Sequence, residues 1–386
     1  MRIGIVSETY PPEVNGVALT VRALAQGMAR RGHTVDLVRP YRAERDTAPE
    51  ASIETLDATG VSLPRYSGLR FGLPARFTLE RRWREVRPDA IYVATEGPLG
   101  WSAVSAARRL GIPVSTGFHT RFDTYADHYG IGLLTPLVRG YLARFHRRSG
   151  STLVPTNALA DELASMGVHN VRLLRRAVDT RQFHPSRRDA SLRAQWGVDE
   201  DTPVVLYVGR IAPEKNLPLA VAAFRALQRR VPDARYVWVG DGPARAALAE
   251  ANPDFIFTGV QRGDVLAATY ASADLFVFPS LSETFGNVLL EAMASGLPVV
   301  AYSEGAAREH IHNGQNGIRV VPGNEAGFIE RSAALGADIP TRRTMGTAAC
   351  ISVSSLSPDV VIADFEGLLR SLAEETRHER PAAIVA

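Results

Sequence analysis

Short apolar segments alternate along this chain with longer segments of helical periodicity, and this alternation constrains the fold more than any other feature. Residues 2–7 form an apolar run, residues 17–31 have the spacing of an amphipathic helix that ends at Gly32, and residues 34–38 are apolar again. Buried apolar strands separated by helices are typical of parallel sheets. The sequence therefore predicts that the chain opens with a β-loop-α-β unit.

The same pattern continues to residue 166, is interrupted by the polar segment 182–202, and resumes with the apolar run 204–208. A chain of 386 residues is long enough to bury two hydrophobic cores. We therefore expect two doubly wound α/β domains, residues 1–184 and 185–357. Ligands of such domains bind at the carboxyl ends of the strands, so two facing domains would enclose a cleft.

Composition narrows the function classes. The chain has 44 basic and 41 acidic residues, a net charge of +3, and the basic residues are scattered, which argues against nucleic acid as a partner. The single cysteine, Cys350, rules out an internal disulfide and a thiolate metal cluster. The apolar runs are shorter than the roughly 20 residues that span a bilayer, and residues 1–6 lack a secretory signal pattern. We expect a cytoplasmic protein.

Lys215 is the single lysine among those 44 basic residues, and it lies in the turn from Val208 to Asn216. Arg210 lies in the same turn, which follows an apolar strand and precedes a helix. A guanidinium fork and a compact ammonium can bind a diphosphate without a metal. The same charges would stabilise a leaving diphosphate as it gains charge. Gly209, Arg210 and Lys215 are thus predicted to form a diphosphate site.

The segment from Pro279 to Gly296 predicts a second anion site. A strand runs into a loop and then into a helix, so the amides of residues 285–288 lie at a helix start without intrahelical acceptors. Glu283 and Glu291 are expected on the order of 10 Å apart, which suits two hydroxyl-bearing rings joined by a diphosphate. Carboxylates that hydrolyse a glycosidic bond lie about 5 to 9.5 Å apart, so a hydrolase fits less well.

Together these motifs resemble family 4 retaining glycosyltransferases of the GT-B fold, in which two Rossmann-like domains face each other across a cleft. The resemblance covers most of residues 1–325 and includes the segments 8–16, 118–120, 178–185, 209–216, 257–260, 271–274 and 283–291. It implies that a C-terminal helix, within residues 358–386, returns to the first domain.

The resemblance also implies a role for each matching residue. Asn15 and Gly16 would lie near the donor phosphates, His119 near the transferred sugar, and Arg210 and Lys215 on the diphosphate. Glu283 would contact sugar hydroxyls and Glu291 the ribose. The remaining nucleotide-binding positions would be Gly209, Gly259, Val260, Thr284, Phe285, Gly286, Asn287 and Val288.

Retention of anomeric configuration is implied as well, with the departing diphosphate accepting the proton of the acceptor. No cofactor and no metal are expected, because the two cations and the helix amides supply positive charge. Two positions depart from the usual family pattern. Family members have a paired glycine and a proline where this chain has Glu304 to Glu309, and a glycine where it has Ala177.

The acceptor is predicted from a narrower resemblance, to lipid mannosyltransferases that use GDP-mannose and to sulfoquinovosyl transferases that use UDP-sugars. Residues 69–87 and 139–148 are rich in arginine and aromatic residues and suit an anionic lipid surface, although a solvated basic helix explains them equally well. We expect a lipid-linked or glycan acceptor and a peripheral position on the inner face of the membrane.

Two other functions are compatible with this sequence. A nucleotide-sugar epimerase shares the two-domain architecture and would act without an acceptor. A non-catalytic partner of another transferase would bind the nucleotide sugar only. The donor base, the sugar, the acceptor hydroxyl and the oligomeric state are not specified by the sequence.

Overall fold

A computed structural model of the chain describes residues 1–13, 15–41, 52–62, 70–119, 135–281 and 285–379. The chain divides into two compact units. Unit 1 consists of Met1–Arg176 and Pro358–Ala386, and unit 2 of Ala177–Ser357. Each unit has its own sheet and its own hydrophobic core.

Unit 1 is organised around a seven-stranded parallel sheet in the order β3-β2-β1-β6-β7-β8-β9. Its strands are β1 (Arg2–Val6), β2 (Thr34–Pro40), β3 (Ile53–Ala58), β6 (Ala90–Val93), β7 (Val114–Gly117), β8 (Ser151–Val154) and β9 (Val171–Leu173). A short antiparallel pair, β4 (Gly60–Ser62) and β5 (Arg70–Gly72), accompanies the sheet.

The helices of unit 1 lie between its strands in the sequence, except for the C-terminal helix, which follows unit 2. They are α1 (Gly16–Arg30), α2 (Arg76–Glu85), α3 (Pro98–Leu110), α4 (Thr135–His146), α5 (Asn157–Ser165) and the C-terminal α14 (Pro358–Glu379). Helix α1 begins where the Asn15 side chain accepts a hydrogen bond from the amide of Ala18, which satisfies one of the unpaired amides of the first turn.

Helix α14 packs against α1 and the sheet of unit 1. Ile362 of α14 lies where a side chain at Gly27 of α1 would project, so the glycine permits close approach of the two helices. Glu366 of α14 pairs with Arg31 at 2.5 Å and with His33 at 3.0 Å. The C-terminal helix is thus part of the core of unit 1.

Unit 2 contains a six-stranded parallel sheet in the order β12-β11-β10-β13-β14-β15. The strands are β10 (Val204–Val208), β11 (Arg235–Val239), β12 (Ile256–Gly259), β13 (Leu275–Phe278), β14 (Val299–Tyr302) and β15 (Gly317–Val320). The strand β10 is buried throughout, which is why it reads as a continuous apolar run rather than an alternation.

The helices of unit 2 are α6 (Ala190–Gln195), α7 (Leu217–Gln228), α8 (Arg245–Ala251), α9 (Gly263–Ser272), α10 (Asn287–Ala294), α11 (Gly305–His310), α12 (Glu325–Ala337) and α13 (Ile339–Val353). Single 3-10 turns occur at Pro185–Arg187 and Pro213–Lys215. A large cluster of buried aromatic and aliphatic side chains fills the core around the sheet.

The predicted fold class, two Rossmann-like parallel α/β domains, is confirmed. The expected strands and helices of both halves are present, with ends that shift by one or two residues. The strands β3, β9 and β15, the β4–β5 pair and the helices α6, α8, α11, α12 and α13 were not predicted. Strand β3 and the β4–β5 pair have polar or glycine-rich sequences that lack a clear period.

The stretch Ile339–Arg377 is long and apolar enough, by length and composition, to cross a membrane. It comprises α13, most of α14 and the turn between them. Met345 and Ala349 of α13 are buried in unit 2, whereas Phe365 and Leu369 of α14 are buried in unit 1. Because its two helices belong to the cores of different units, we interpret the stretch as core helices.

Candidate active site

The sheet of unit 2 has a point at which the chain changes direction across the sheet. Strand β10 lies between β11 and β13, so the chain first adds β11 and β12 on one side and then β13, β14 and β15 on the other. Ligands of open α/β sheets bind at the carboxyl ends of the two strands that flank such a point. In unit 2 the first of these ends is followed by the loop 209–216, and the second by a segment of which residues 279–281, 285 and 286 are described.

Hydrogen bonds to the backbone at the end of β11 and just after it hold this first loop in place. The amide of Gly209 donates to the carbonyl of Val239 at 3.0 Å, and the amide of Ile211 donates to Asp241 at 2.9 Å. The buried Tyr207 hydroxyl donates to the carbonyl of Arg210 at 3.0 Å. The backbone of Arg210 is therefore fixed while its side chain projects from the loop.

Two glycines of the neighbouring loop, Gly240 and Gly242, make this packing possible. Each has a positive φ, 132° and 159° respectively. A Cβ atom at Gly240 would collide with the carbonyl of Gly209, and one at Gly242 would collide with that of Ile211. The Gly-Asp-Gly segment thus supports the turn predicted to bind diphosphate.

Lys215 ends the 3-10 turn Pro213–Lys215, immediately before Asn216. Asn216 has a left-handed backbone, with φ 54°, and is the one non-glycine residue with positive φ in the described parts of the chain. Asparagine tolerates this conformation better than most residues. Its side-chain amide lies 3.4 Å from the carbonyl of Pro279, which links the loops after β10 and β13.

The two cations of the loop differ in exposure. The side chain of Arg210 is 57% exposed and lies 3.6 Å from Glu214, four residues further on. Lys215 is half-buried. An exposed ion pair of this kind contributes little to stability, so Arg210 can exchange Glu214 for a phosphate at small cost.

Helix α10 begins directly after Gly286, whose φ is 89°. Glycine offers no side-chain cap to the amides of Asn287 and Val288, which leaves the start of this helix open to an anion. Phe285 is buried against His310 and anchors the loop. The predicted residues Glu283 and Thr284 lie outside the described residues.

Glu291 lies one turn into α10 and is half-buried. Burial raises its pKa to about 7, although the hydrogen bond that Tyr270 donates to it, at 2.9 Å, acts in the opposite direction. Near neutral pH this carboxyl group can therefore accept or donate a hydrogen bond, depending on its protonation. Either form can bind a hydroxyl group of a ligand.

The segment that departs from the family pattern forms the start of α11. Gly305 has φ 48°, and a Cβ atom there would collide with the carbonyl of Phe285, which accepts a hydrogen bond from the amide of Ala306 at 2.6 Å. The Ala306 side chain is buried. Glu304 lines a small pocket beside Phe285. One glycine of the usual pair is thus retained where the backbone requires it.

Gly259 is the last residue of the edge strand β12, and Val260 follows it. Gly259 has φ 74° and open space around its α-carbon, and Val260 is 62% exposed. The carbonyl of Gly259 accepts a hydrogen bond from Gly240 at 2.8 Å. This edge is accessible to a flat ring, in keeping with its predicted position beside the base.

Unit 1 has a corresponding point where the chain changes direction, between β1 and β6. The loop after β1 ends at Asn15, whose side-chain nitrogen donates to Thr9 at 2.7 Å while its oxygen caps α1. The Asn15 side chain is therefore engaged within the loop, whereas Gly16 is exposed at the start of the helix. Backbone amides, rather than the Asn15 side chain, are available here for a phosphate.

Glu8, in the same loop, reaches the start of α3. Its carboxylate accepts the amide of Leu99 at 2.9 Å, and its own amide donates to Thr95 at 2.9 Å. Glu8 is buried, and burial raises its pKa to about 7, opposed by hydrogen bonds from Leu99 and Gly100. A Cβ atom at Gly97 would collide with this carboxylate.

His119 lies two residues beyond β7, and Glu8 lies two residues beyond β1, so both follow the carboxyl ends of parallel strands of the same sheet. Its Nδ1 atom is 2.8 Å from an Nη atom of Arg176, and its Nε2 atom is 2.5 Å from the hydroxyl of Tyr92. Both ring nitrogens are thus engaged within unit 1. Burial and the charge of Arg176 hold the pKa of His119 well below its usual range.

Three residues of these environments were missed from the sequence: Tyr92, Arg176 and Tyr270. Tyr92 and Tyr270 lie within a strand and a helix whose apolar patterns account for them as core residues. Arg176 directly precedes Ala177 and Val178 of the family motif, and this position beside the motif could have identified it as a candidate site residue. In the described parts of the chain, no group of three or more His, Cys, Asp or Glu side chains is arranged to hold a metal ion.

Both halves of the chain match described protein families. Residues 14–182 match Glycosyltransferase Family 4, and residues 202–338 match Glycosyl transferases group 1. A sucrose-phosphate synthase from Thermosynechococcus elongatus has the same fold, with a TM-score of 0.78 and 20% identity over 96% of this chain and 98% of that one.

Curated relatives match most of the chain. The GDP-mannose-dependent alpha-mannosyltransferase of Mycolicibacterium smegmatis is 36% identical over 95% of this chain and 96% of its own length. The sulfoquinovosyl transferase of Arabidopsis thaliana is 34% identical over 68% of this chain and 52% of its own length. The alpha-monoglucosyldiacylglycerol synthase of Streptococcus pneumoniae is 28% identical over 78% and 71%.

Proposed function

This chain belongs to glycosyltransferase family 4, and on that premise we propose that it transfers a hexose, with mannose from GDP-mannose as the first candidate, to a lipid-type acceptor with retention of configuration. The observation on which the proposal mainly depends is the match to a GDP-mannose-dependent enzyme along 95% of the chain. Nucleotide-sugar glycosyl transfer follows from family membership; the base, the sugar and the stereochemistry are the proposed part.

The geometry of unit 2 supports a nucleotide-sugar donor. Arg210 and Lys215 lie on the loop after β10, and the open start of α10 follows β13. These loops flank the point where ligands of such sheets bind. We assign the diphosphate to the two cations and the α10 amides, the ribose to Glu291, and the base to the edge at Gly259 and Val260.

Metal independence rests on the same groups. Two cations and a helix start can neutralise a diphosphate that gains charge as it leaves. In a retaining transfer on the front face, the C–O bond between the anomeric carbon and the diphosphate breaks, and the acceptor oxygen bonds to the same face. The acceptor proton goes to the departing diphosphate. We propose that Glu283 contacts the hydroxyl groups of the sugar and that His119 lies near the transferred sugar.

Exposed side chains of unit 1 support a lipid-type acceptor. Helix α2 buries Leu79 and Trp83 while Phe77 is 76% exposed, together with Arg81 and Arg84. On α4, Leu137 is 70% exposed beside Arg144. Arginine interspersed with exposed apolar residues suits an anionic membrane surface. We propose a peripheral position on the cytoplasmic face of a membrane.

A donor panel tests this function directly. Purified protein is incubated with GDP-mannose, UDP-glucose, UDP-sulfoquinovose or ADP-glucose, each with diacylglycerol vesicles or a soluble glycan, in buffer with EDTA. We expect one donor to give an acceptor-dependent product with an α linkage by NMR. A β-linked product would overturn retention, and activity that vanishes with EDTA and returns with a divalent cation would overturn metal independence.

The same incubation separates the two rival functions. An epimerase would convert the donor without any acceptor, so new sugar signals in the donor-only sample would favour it. A non-catalytic binding partner would be stabilised thermally by the donor but give no product with any acceptor.

A further inference from the structure

The two hydrogen bonds to the ring of His119 define its tautomer. A guanidinium group can only donate, so Nδ1 of His119 must accept the bond from Arg176 and cannot bear a proton. The proton of the neutral ring is then on Nε2, which donates to the Tyr92 oxygen. We call Arg176 and Tyr92 the clamp of His119, because their two hydrogen bonds fix both the orientation of the ring and the position of its proton.

Arg176 is an unusual residue in a core. It is buried, no carboxylate pairs with it among the described residues, and its Nε atom has no hydrogen-bond partner there. Burial lowers the pKa of its guanidinium. Burying a cation is costly, so a purely structural role would favour an apolar side chain at this position. Within the described parts of the chain, the Arg176 side chain makes one hydrogen bond, to His119.

The groups that face His119 explain why the ring stays neutral. Arg176 faces Nδ1, Tyr92 of β6 faces Nε2, and His146 of α4 lies close enough to oppose a positive charge. Glu96 is 3.6 Å from His146 and does not contact His119. Phe365 of α14 packs edge-on against Tyr92, with ring centroids 5.1 Å apart, and so fixes the hydroxyl.

We infer that Arg176 is a positioning residue that holds His119, through Nδ1, as the neutral Nε2-protonated ring, with Tyr92 fixing the opposite edge. The inference rests on the proposed function, in which His119 lies near the transferred sugar. Arg176 is also the last residue of unit 1, directly before Ala177 of unit 2. The clamp therefore ties the site histidine to the residue at which the chain passes between the units.

The decisive test is NMR of the full-length protein labelled with 15N-histidine, with His119 among the nine histidines assigned from H119Q. We expect a non-protonated Nδ1 and a protonated Nε2, without titration between pH 8 and 5.5. In R176M, which removes the charge of Arg176 but not the burial of the ring, the pKa of His119 should rise toward its usual range and Nδ1 should no longer be held without a proton. Lysine retains a donor to Nδ1, so R176K should keep the wild-type tautomer.

Activity supplies a second readout. Because the clamp fixes a ring that we propose to lie beside the bound sugar, R176M should lower kcat about 100-fold with a donor KM within about twofold of wild type. The loss should be greater at pH 6 than at pH 8, and R176K should recover most of it. Arg175 is adjacent and exposed, so R175M is the matched control and should behave as wild type.

The inference can be tested even if R176M fails to fold. A wild-type spectrum in which His119 titrates near 6.5, or carries its proton on Nδ1, overturns the inference without any variant. Y92F retains Arg176 and should keep the tautomer while lowering kcat. Because the NMR readout requires no turnover, failure of the clamp is distinguishable from failure of the proposed function, which the donor panel reports.

Discussion

The hydroxyl of Tyr270, on α9, donates a 2.9 Å hydrogen bond to the carboxylate of Glu291, on α10. Both side chains belong to unit 2, and the bond favours the charged form of a carboxyl group that burial otherwise disfavours. If the charged form binds the ribose, Y270F should weaken donor binding about tenfold at pH 7, in line with the value of a hydrogen bond to a charged group.

Calorimetric titration of the donor into Y270F checks this prediction. Y236F is the matched control, because the buried Tyr236 hydroxyl has no partner among the described residues of the same unit. Its donor affinity should be unchanged. Equal loss of affinity in the two variants would contradict the assigned role of Tyr270.

Donor affinity should also depend on pH through Glu291. The pKa of this group is about 7 in the free protein, and a carboxylate that accepts ribose hydroxyl groups binds best when ionised. Affinity should therefore rise about tenfold from pH 6 to pH 8, because the ionised fraction rises over that range. The diphosphate of the donor does not titrate there. In E291Q the affinity should be lower and flat with pH; a profile parallel to wild type would contradict the assignment.

Glu8 gives a stability prediction with a defined sign. Its folded-state pKa, about 7, lies above the ordinary 4.5, so the folded protein retains this proton more strongly than the unfolded chain does. The favourable contribution is complete below pH 4.5 and is lost as pH rises to about 7. E8Q cannot titrate but can still accept the Leu99 amide, so it avoids this loss.

Urea unfolding at pH 5 and pH 8 measures the effect. The free energy of unfolding of E8Q, relative to wild type, should rise between the two pH values by an amount on the order of 3 kcal/mol. Comparison with wild type cancels the contributions of the other titrating groups. An unchanged difference between the two proteins would show that Glu8 does not titrate in this range.

Replacing each of two helical glycines of unit 1 by alanine should change the stability of the unit in opposite directions. A Cβ atom at Gly27 would collide with Ile362 of α14, so G27A should destabilise unit 1 by about 1 to 3 kcal/mol. Gly367 of α14 has open space, so G367A should stabilise by about 0.5 to 1 kcal/mol. Thermal or urea unfolding of the two variants checks this, and a G27A variant as stable as wild type would contradict the described contact between α1 and α14.

The architecture was predictable because both sheets are parallel and buried. Strand β10 is apolar throughout, and glycines such as Gly296 follow the helices between strands. The apolar pattern and the positions of these glycines therefore predicted the same elements. Strand β3 was not predictable, since it is an edge strand with exposed polar residues such as Glu54. The return of α14 came from the family resemblance rather than from any residue pattern.

The positions of candidate site residues were predictable where a loop contains distinctive residues, and their roles stay predictions. Arg210, Lys215 and Gly286 occupy loop or helix-start positions that sequence motifs mark directly. The environment of a side chain was not predictable in the same way. Nothing local to His119 indicates that Tyr92 and Arg176, which are 27 and 57 residues away in the chain, meet its two ring nitrogens.

The central claim, that a nucleotide diphosphate sugar binds at Lys215, is tested most directly by amine acylation with and without GDP-mannose, read by mass spectrometry. Lys215 is the single lysine, so it and the N-terminal amine of Met1 are the two targets, and Met1 is the internal control. At about 100 times its Kd the donor should slow acylation of Lys215 about 100-fold and leave Met1 unaffected. Equal acylation of Lys215 with and without each nucleotide sugar of the panel would contradict the account.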